Sequence, residues 1–128
     1  MPSKLEEQFV ALWEYHFPDI DLHSEVCLIP GRKFRFDFVH HPTKVAIEIN
    51  GQIWRKGGHS SGSGLIRDYT KLNLAAFEGW QVLQLSSEHL TEEWIKKIGN
   101  YIINRGLFFA EYYRAVCDFK TMEDCLKS

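Results

Sequence analysis

The sequence predicts an α/β domain with a mixed central β-sheet flanked by α-helices. Three observations carry this expectation. Apolar residues recur at helical spacing near the N-terminus and twice more after residue 64. Between them, Phe34-Arg35-Phe36-Asp37-Phe38 and Val45-Ala46-Ile47-Glu48-Ile49 alternate with the period of two that marks strands. The element order is then helix, strands, helix, strand, helix, too irregular for a bundle or a sandwich. With 128 residues, residues 1–128 are expected to form one domain with a real core.

Each element has its own signal. Ser3 and Glu6 stand three apart as a capping box, and Leu5, Phe9, Leu12 and Trp13 follow at helical spacing, predicting a helix over 4–16 that Pro18 ends. Leu22 to Ile29 reads as a first strand, followed by the basic turn Pro30-Gly31-Arg32-Lys33. The Phe34 and Val45 runs are joined by His40-His41-Pro42-Thr43, so they read as a hairpin. Arg55 to Gly64 is a glycine- and serine-rich basic loop. Ile66, Tyr69, Leu72, Ala76 and Phe77 form an apolar stripe closed by Gly79, predicting a second helix. Trp80 to Leu85 alternates as a strand. Thr91 to about Arg105 carries Trp94, Ile98, Tyr101 and Ile102 on one helical face, and Leu107 to Phe119 is an aromatic-rich helical tail.

Composition narrows the function classes. Hydrophobic residues make up 45% and aromatics 14%, including four Trp and nine Phe, enough for a packed core and unlike a disordered chain. A formal charge of −2 argues against nucleic-acid binding by bulk charge, so such a partner has to be gripped by a local patch. Cys27, Cys117 and Cys125 have no disulfide or zinc spacing, which fits a reducing, cytoplasmic setting. No apolar run has the length of a signal core or membrane span, so no membrane partner is expected.

The chemistry-bearing feature is the pair Asp37 and Glu48, two carboxylates on apolar strands. Both fall opposite the main apolar set of their strands, and the hairpin brings them toward one sheet face. Like charges held close repel, and a divalent cation is the usual means of holding them. The plain alternative is two solvent-facing strand residues.

With the helix bearing Glu6, the Asp37 strand, Glu48-Ile49-Asn50-Gly51, and Asp68-Tyr69-Thr70-Lys71-Leu72-Asn73 leading into Gly79-Trp80-Gln81-Val82-Leu83, residues 3–85 resemble the PD-(D/E)XK nuclease superfamily. That group includes resolvase-like, restriction-enzyme and very-short-patch-repair-like endonucleases. The resemblance implies a restriction-endonuclease-like fold and Mg²⁺- or Mn²⁺-dependent hydrolysis of DNA. It implies Asp37, Glu48 and the Ile49 carbonyl as metal ligands, with Glu6 approaching from the first helix. Glu6 also has a local role as the capping-box partner of Ser3, and Glu7 is its reserve.

The sequence departs from the pattern at Asn50, where E-x-K would place lysine. An amide supplies no cation. Gln52, Lys71 and His59 are the candidates to replace it. Lys71 could reach over the sheet from the second helix, or pair with Asp68 on a solvated face. His59 follows Gly51-Gln52-Ile53-Trp54 in a manner similar to the very-short-patch-like branch, or is simply an exposed loop histidine. Arg32, Lys33, Arg35, Arg55, Lys56 and Arg67 border the site in sequence and form the candidate DNA-binding patch. The aromatic tail would serve a homodimer interface or the chain's own core. Two competing readings are a catalytically inactive nucleic-acid-binding module of the same fold, favoured by Asn50, and an interaction domain that docks a partner through its tail.

Overall fold

The structure, a computed structural model, describes residues 2–51 and 62–127, with side chains described as far as residue 116. In order, α1 spans Lys4–His16, β1 His23–Cys27, β2 Arg35–His40, β3 Val45–Ile49, α2 Gly62–Phe77, β4 Gln81–Leu85 and α3 Glu92–Lys127, with a short 3-10 turn at Ser87–His89 before α3. The four strands form one mixed sheet in the order β1-β2-β3-β4. β1, β2 and β3 run antiparallel in sequence, and α2 carries the chain across to β4, which lies parallel to β3.

Local chemistry explains the boundaries. Ser3 Oγ accepts from Glu6 N at 3.1 Å and starts α1. Gly79 takes φ +86 after α2, the left-handed conformation that glycine adopts without a Cβ penalty. Lys44 Nζ donates to Glu78 O at 2.9 Å, adding a cation at the C-terminal end of α2. His40 belongs to β2, where it pairs with Val45, so the turn is His41–Lys44 rather than starting at His40. His40 Nδ1 lies 2.7 Å from the hydroxyl of buried Thr43, which fixes that turn.

Both faces of the sheet are covered. On one, Phe9 and Trp13 of α1 and Ile95, Ile98 and Ile102 of α3 pack on Phe38, Val45, Ile47 and Leu85. On the other, Ala75 of α2 packs with Phe36, Val39, Ala46 and Ile29. Two helix faces differ from the periodicity. In α2, Ile66, Tyr69 and Phe77 are exposed and the sheet-facing residues are Lys71, Leu74 and Ala75. Lys71 takes a sheet-facing position on this helix, and of the expected stripe Leu72 is half-buried while Ile66, Tyr69, Ala76 and Phe77 face outward. In α3, Ile95 is buried while Trp94 and Tyr101 stay on the rim, and the helix runs unbroken for 36 residues, about 54 Å at 1.5 Å per residue.

α3 meets the end of α1 at Gly99, where an added Cβ would stand inside van der Waals distance of the Phe17 ring. Gly99→Ala is therefore expected to lower stability by about 1–3 kcal/mol despite the better helix propensity of alanine. A urea melt checks this, and a stabilised variant would show that the Phe17 ring yields.

Candidate active site

β2 and β3 form a fork, and the site sits in its crotch. Backbone pairing between them covers Phe38↔Ile47, Val39↔Ala46 and His40↔Val45. Beyond Phe38, β2 continues against β1 through Phe36↔Val26 and Arg35↔Cys27, whereas β3 continues against β4 through Glu48↔Gln84 and Ile49↔Leu85. The amides freed by this parting are taken by the two carboxylates. Asp37 N donates to Glu48 Oε1 at 3.0 Å, and Ile49 N donates to Asp37 Oδ2 at 2.7 Å. Each acid thus bonds to the backbone of the opposite strand, an exchange that replaces lost ladder bonds and orients both side chains.

The facing of β2 changes at the same rung. Phe36 and Phe38, two residues apart, belong to opposite sides of the sheet, although strict alternation would put them together. Across from Asp37, between the pairs Ser24↔Phe38 and Val26↔Phe36, Glu25 takes φ 55. A non-glycine residue in that region costs on the order of 1–3 kcal/mol. The outcome is that single carboxylate oxygens of Glu6, Glu25 and Asp37 lie within 4.8 Å of one another. Glu25 was not picked out in sequence, since it lies in a strand of mostly polar residues with no motif around it.

Lys71 reaches over the sheet from α2. Its Nζ donates to Glu48 Oε2 at 2.9 Å and to Arg35 O, and stands 4.3 Å from the centroid of the Phe36 ring. The pair is sheltered, with 16% of the Lys71 side chain and 25% of Glu48 exposed. A cleft of about 540 Å³ opens on this group, lined among others by Glu6, Asp37, Glu48, Asn50, Asp68 and Lys71.

Three of the carboxyls bordering the cleft, Asp37, Glu48 and Glu6, hold their protons more tightly than usual. Burial is the largest cause for Asp37, opposed by the Ile49 amide and reinforced by Glu25. Burial also leads for Glu48, and the bond and charge of Lys71 offset it only in part. Glu6 is raised by burial and then by the charges of Asp37 and Glu25.

Of the residues singled out in sequence, Glu6, Asp37, Glu48, Ile49 and Lys71 all line this cleft. Arg32, Lys33, Arg35 and Arg67 do not. The Arg32 guanidinium stands over the Phe34 ring at 5.1 Å, and Arg35 lines a neighbouring groove beside Glu7, Glu14 and Glu25. Gln52, Arg55, Lys56 and His59 lie outside the described residues.

The donor set suits a hard divalent cation. Glu6, Glu25 and Asp37 offer converging carboxylate oxygens, while both oxygens of Glu48 are engaged by Asp37 N and Lys71.

No protein-family model and no curated protein matches the chain. Among solved structures, the fold is similar to the catalytic domain of the homing endonuclease I-Bth0305I, with a TM-score of 0.61 over 81% of this chain and 98% of that chain at 18% identity. The chain thus has an α/β fold similar to that domain's, with a four-stranded mixed sheet flanked by helices. Among the described residues, no helix is long and apolar enough to cross a membrane.

Proposed function

We propose that the protein is a metal-dependent DNA endonuclease with a PD-(D/E)XK-like site. The observation that carries this reading is the fork of β2 and β3, which gathers Asp37, Glu48 and Lys71 at one cleft with Glu6 and Glu25 beside Asp37. Asp37, with Glu6 and Glu25, would hold Mg²⁺ or Mn²⁺, and Glu48 and the Ile49 carbonyl are the further candidates. Such an ion supplies Lewis acidity at a scissile phosphate and a water acidic enough to attack it.

The protein's own groups do the rest. The Ile49 amide fixes Asp37, and the Asp37 amide fixes Glu48, so the carboxylates are oriented before substrate arrives. Lys71 supplies the cation that Asn50 cannot. From Glu48 Oε2 its ammonium is placed to orient the attacking water and to offset charge on the phosphate oxygens. This favours an enzyme over an inactive binding module, because a sheltered lysine on a cleft carboxylate fills the gap that motivated the inactive reading. Arg32, Lys33, Arg35 and Arg67, which do not line the cleft, are proposed contacts to DNA together with Arg55 and Lys56, and a second copy docking through the aromatic part of α3 would let two sites cut two strands.

Single-turnover cleavage of supercoiled plasmid and of a short duplex tests the reading. Cutting is expected with Mg²⁺ or Mn²⁺, binding without efficient cutting with Ca²⁺, and neither cutting nor stabilisation by metal in Asp37→Ala. Glu25→Gln is expected to weaken the metal-induced rise in melting temperature, a readout independent of activity. Undiminished cleavage in excess chelator, or parental rates in Asp37→Ala, would refute the metal site.

A further inference from the structure

The end of β4 borders two clefts. Gln84 lines the carboxylate cleft, and it also lines a smaller one of about 220 Å³. That second cleft has Leu85 and Ile98 in its floor and His89, Trp94, Lys97 and Tyr101 around it. Trp94, Lys97 and Tyr101 stand at i, i+3 and i+7 on one face of α3, where side chains line up along the helix. Trp94 is 39% exposed and Tyr101 37%, so both residues reach the surface at the rim of this cleft. Lys97 Nζ lies 5.0 Å from the centroid of Trp94 and 3.3 Å from Glu93 Oε1.

His89 is fixed in orientation. Its Nδ1 accepts from Ser86 N at 2.9 Å, which places its ring hydrogen on Nε2. The ring meets Trp94 edge-on at 4.7 Å and 86°. An open indole and phenol, an oriented imidazole N–H and an ammonium make a site for a planar base attached to a phosphate. A base inside an intact duplex shows no open face and does not reach such a site, whereas an unpaired one does.

We propose that this cleft receives an unstacked nucleotide of the DNA strand whose phosphate lies in the carboxylate cleft, so that DNA with an unpaired nucleotide beside the cut is the preferred substrate. The inference rests on the nuclease reading. Gln84 lines both clefts, so a strand held in one passes close to the other, and Lys97 exchanges its place over Trp94 for the nucleotide's phosphate as the base stacks.

The test measures binding by fluorescence anisotropy in Ca²⁺ at one fixed salt concentration, using a perfect duplex and the same duplex with a single-nucleotide bulge. The parent protein is expected to prefer the bulged DNA roughly ten-fold, since stacking one base on an aromatic side chain has about that worth. Trp94→Ala is expected to erase the preference and to keep the affinity for the perfect duplex, while Trp94→Phe retains most of it. Should Trp94→Ala fail to fold, Tyr101→Ser carries the same comparison. A parent protein that binds and nicks perfect duplex without preferring the bulge, or a preference that survives in Trp94→Ala and Tyr101→Ser, overturns this inference alone. Absence of binding to either DNA overturns the nuclease reading and this inference with it.

Discussion

Asp37→Asn is expected to melt at a higher temperature than the parent protein in chelator at neutral pH, and to have lost DNA cleavage by about 100- to 1,000-fold or more. Burial and the neighbouring carboxylate Glu25 raise the proton affinity of Asp37 above its usual value of 3.8, and Glu6 and Glu48 are raised above theirs of 4.5. A carboxyl that binds its proton more tightly in the folded state stabilises the fold below the ordinary carboxylate range. That contribution is lost as pH rises through the raised value. The metal-free parent should therefore lose stability between mildly acidic and neutral pH, and Asp37→Asn, with one fewer acid to ionise, should lose less. Asparagine can still accept from Ile49 N through its amide oxygen, so the strand-to-strand bond survives the change. Divalent cation should restore the parent by mass action, about 2.7 kcal/mol at a hundred-fold excess over the dissociation constant, and restore the variant less. Thermal melts from pH 4 to 7.5 with and without metal decide it. A variant that melts below the parent throughout would show that the bond to Ile49 needs a full charge.

Lys71→Met is expected to slow cleavage by at least about 100-fold, and also to destabilise the fold by about 1–3 kcal/mol. The second effect follows from shelter. Glu48 is three-quarters covered, and without the ammonium its Oε2 would remain there as an uncompensated charge. Adding Glu48→Gln to Lys71→Met removes that charge and should recover part of the stability while activity stays lost. Chemical melts and single-turnover rates on Lys71→Met, Glu48→Gln and the double variant separate the structural role from the proposed catalytic one. Parental rates in Lys71→Met would move the role to His59, which His59→Ala and the pH profile of cleavage would then examine.

The local signals were legible wherever one segment decided its own state. The capped α1, the Phe34 and Val45 strands, the Gly79 stop and the β4 alternation depend on neighbours within a few residues, and the observed elements lie within two residues of those positions. Where two segments compete for one face, periodicity misled. The exposed Ile66, Tyr69 and Phe77 outweigh Leu74 and Ala75 in a count of apolar residues, because Lys71 occupies a sheet-facing place on behalf of the site. The position of Trp94 and Tyr101 on the rim, with Ile95 beneath, is likewise a matter of how α3 rests on the sheet.

The sequence by itself determined the α/β class, the order of elements and the presence of two acids on neighbouring strands, since propensity, capping and period-two alternation are written in consecutive residues. Only the tertiary structure decided what those acids do. The parting of β2 from β3 leaves two amides for Asp37 and Glu48 to exchange, and it commits Glu48 to Lys71 from a helix 23 residues away. The same rung turns Glu25, in the left-handed conformation, toward Glu6 and Asp37. These outcomes depend on where strands separate and which helix crosses them, a balance of long-range packing against local strain that no run of neighbouring residues encodes.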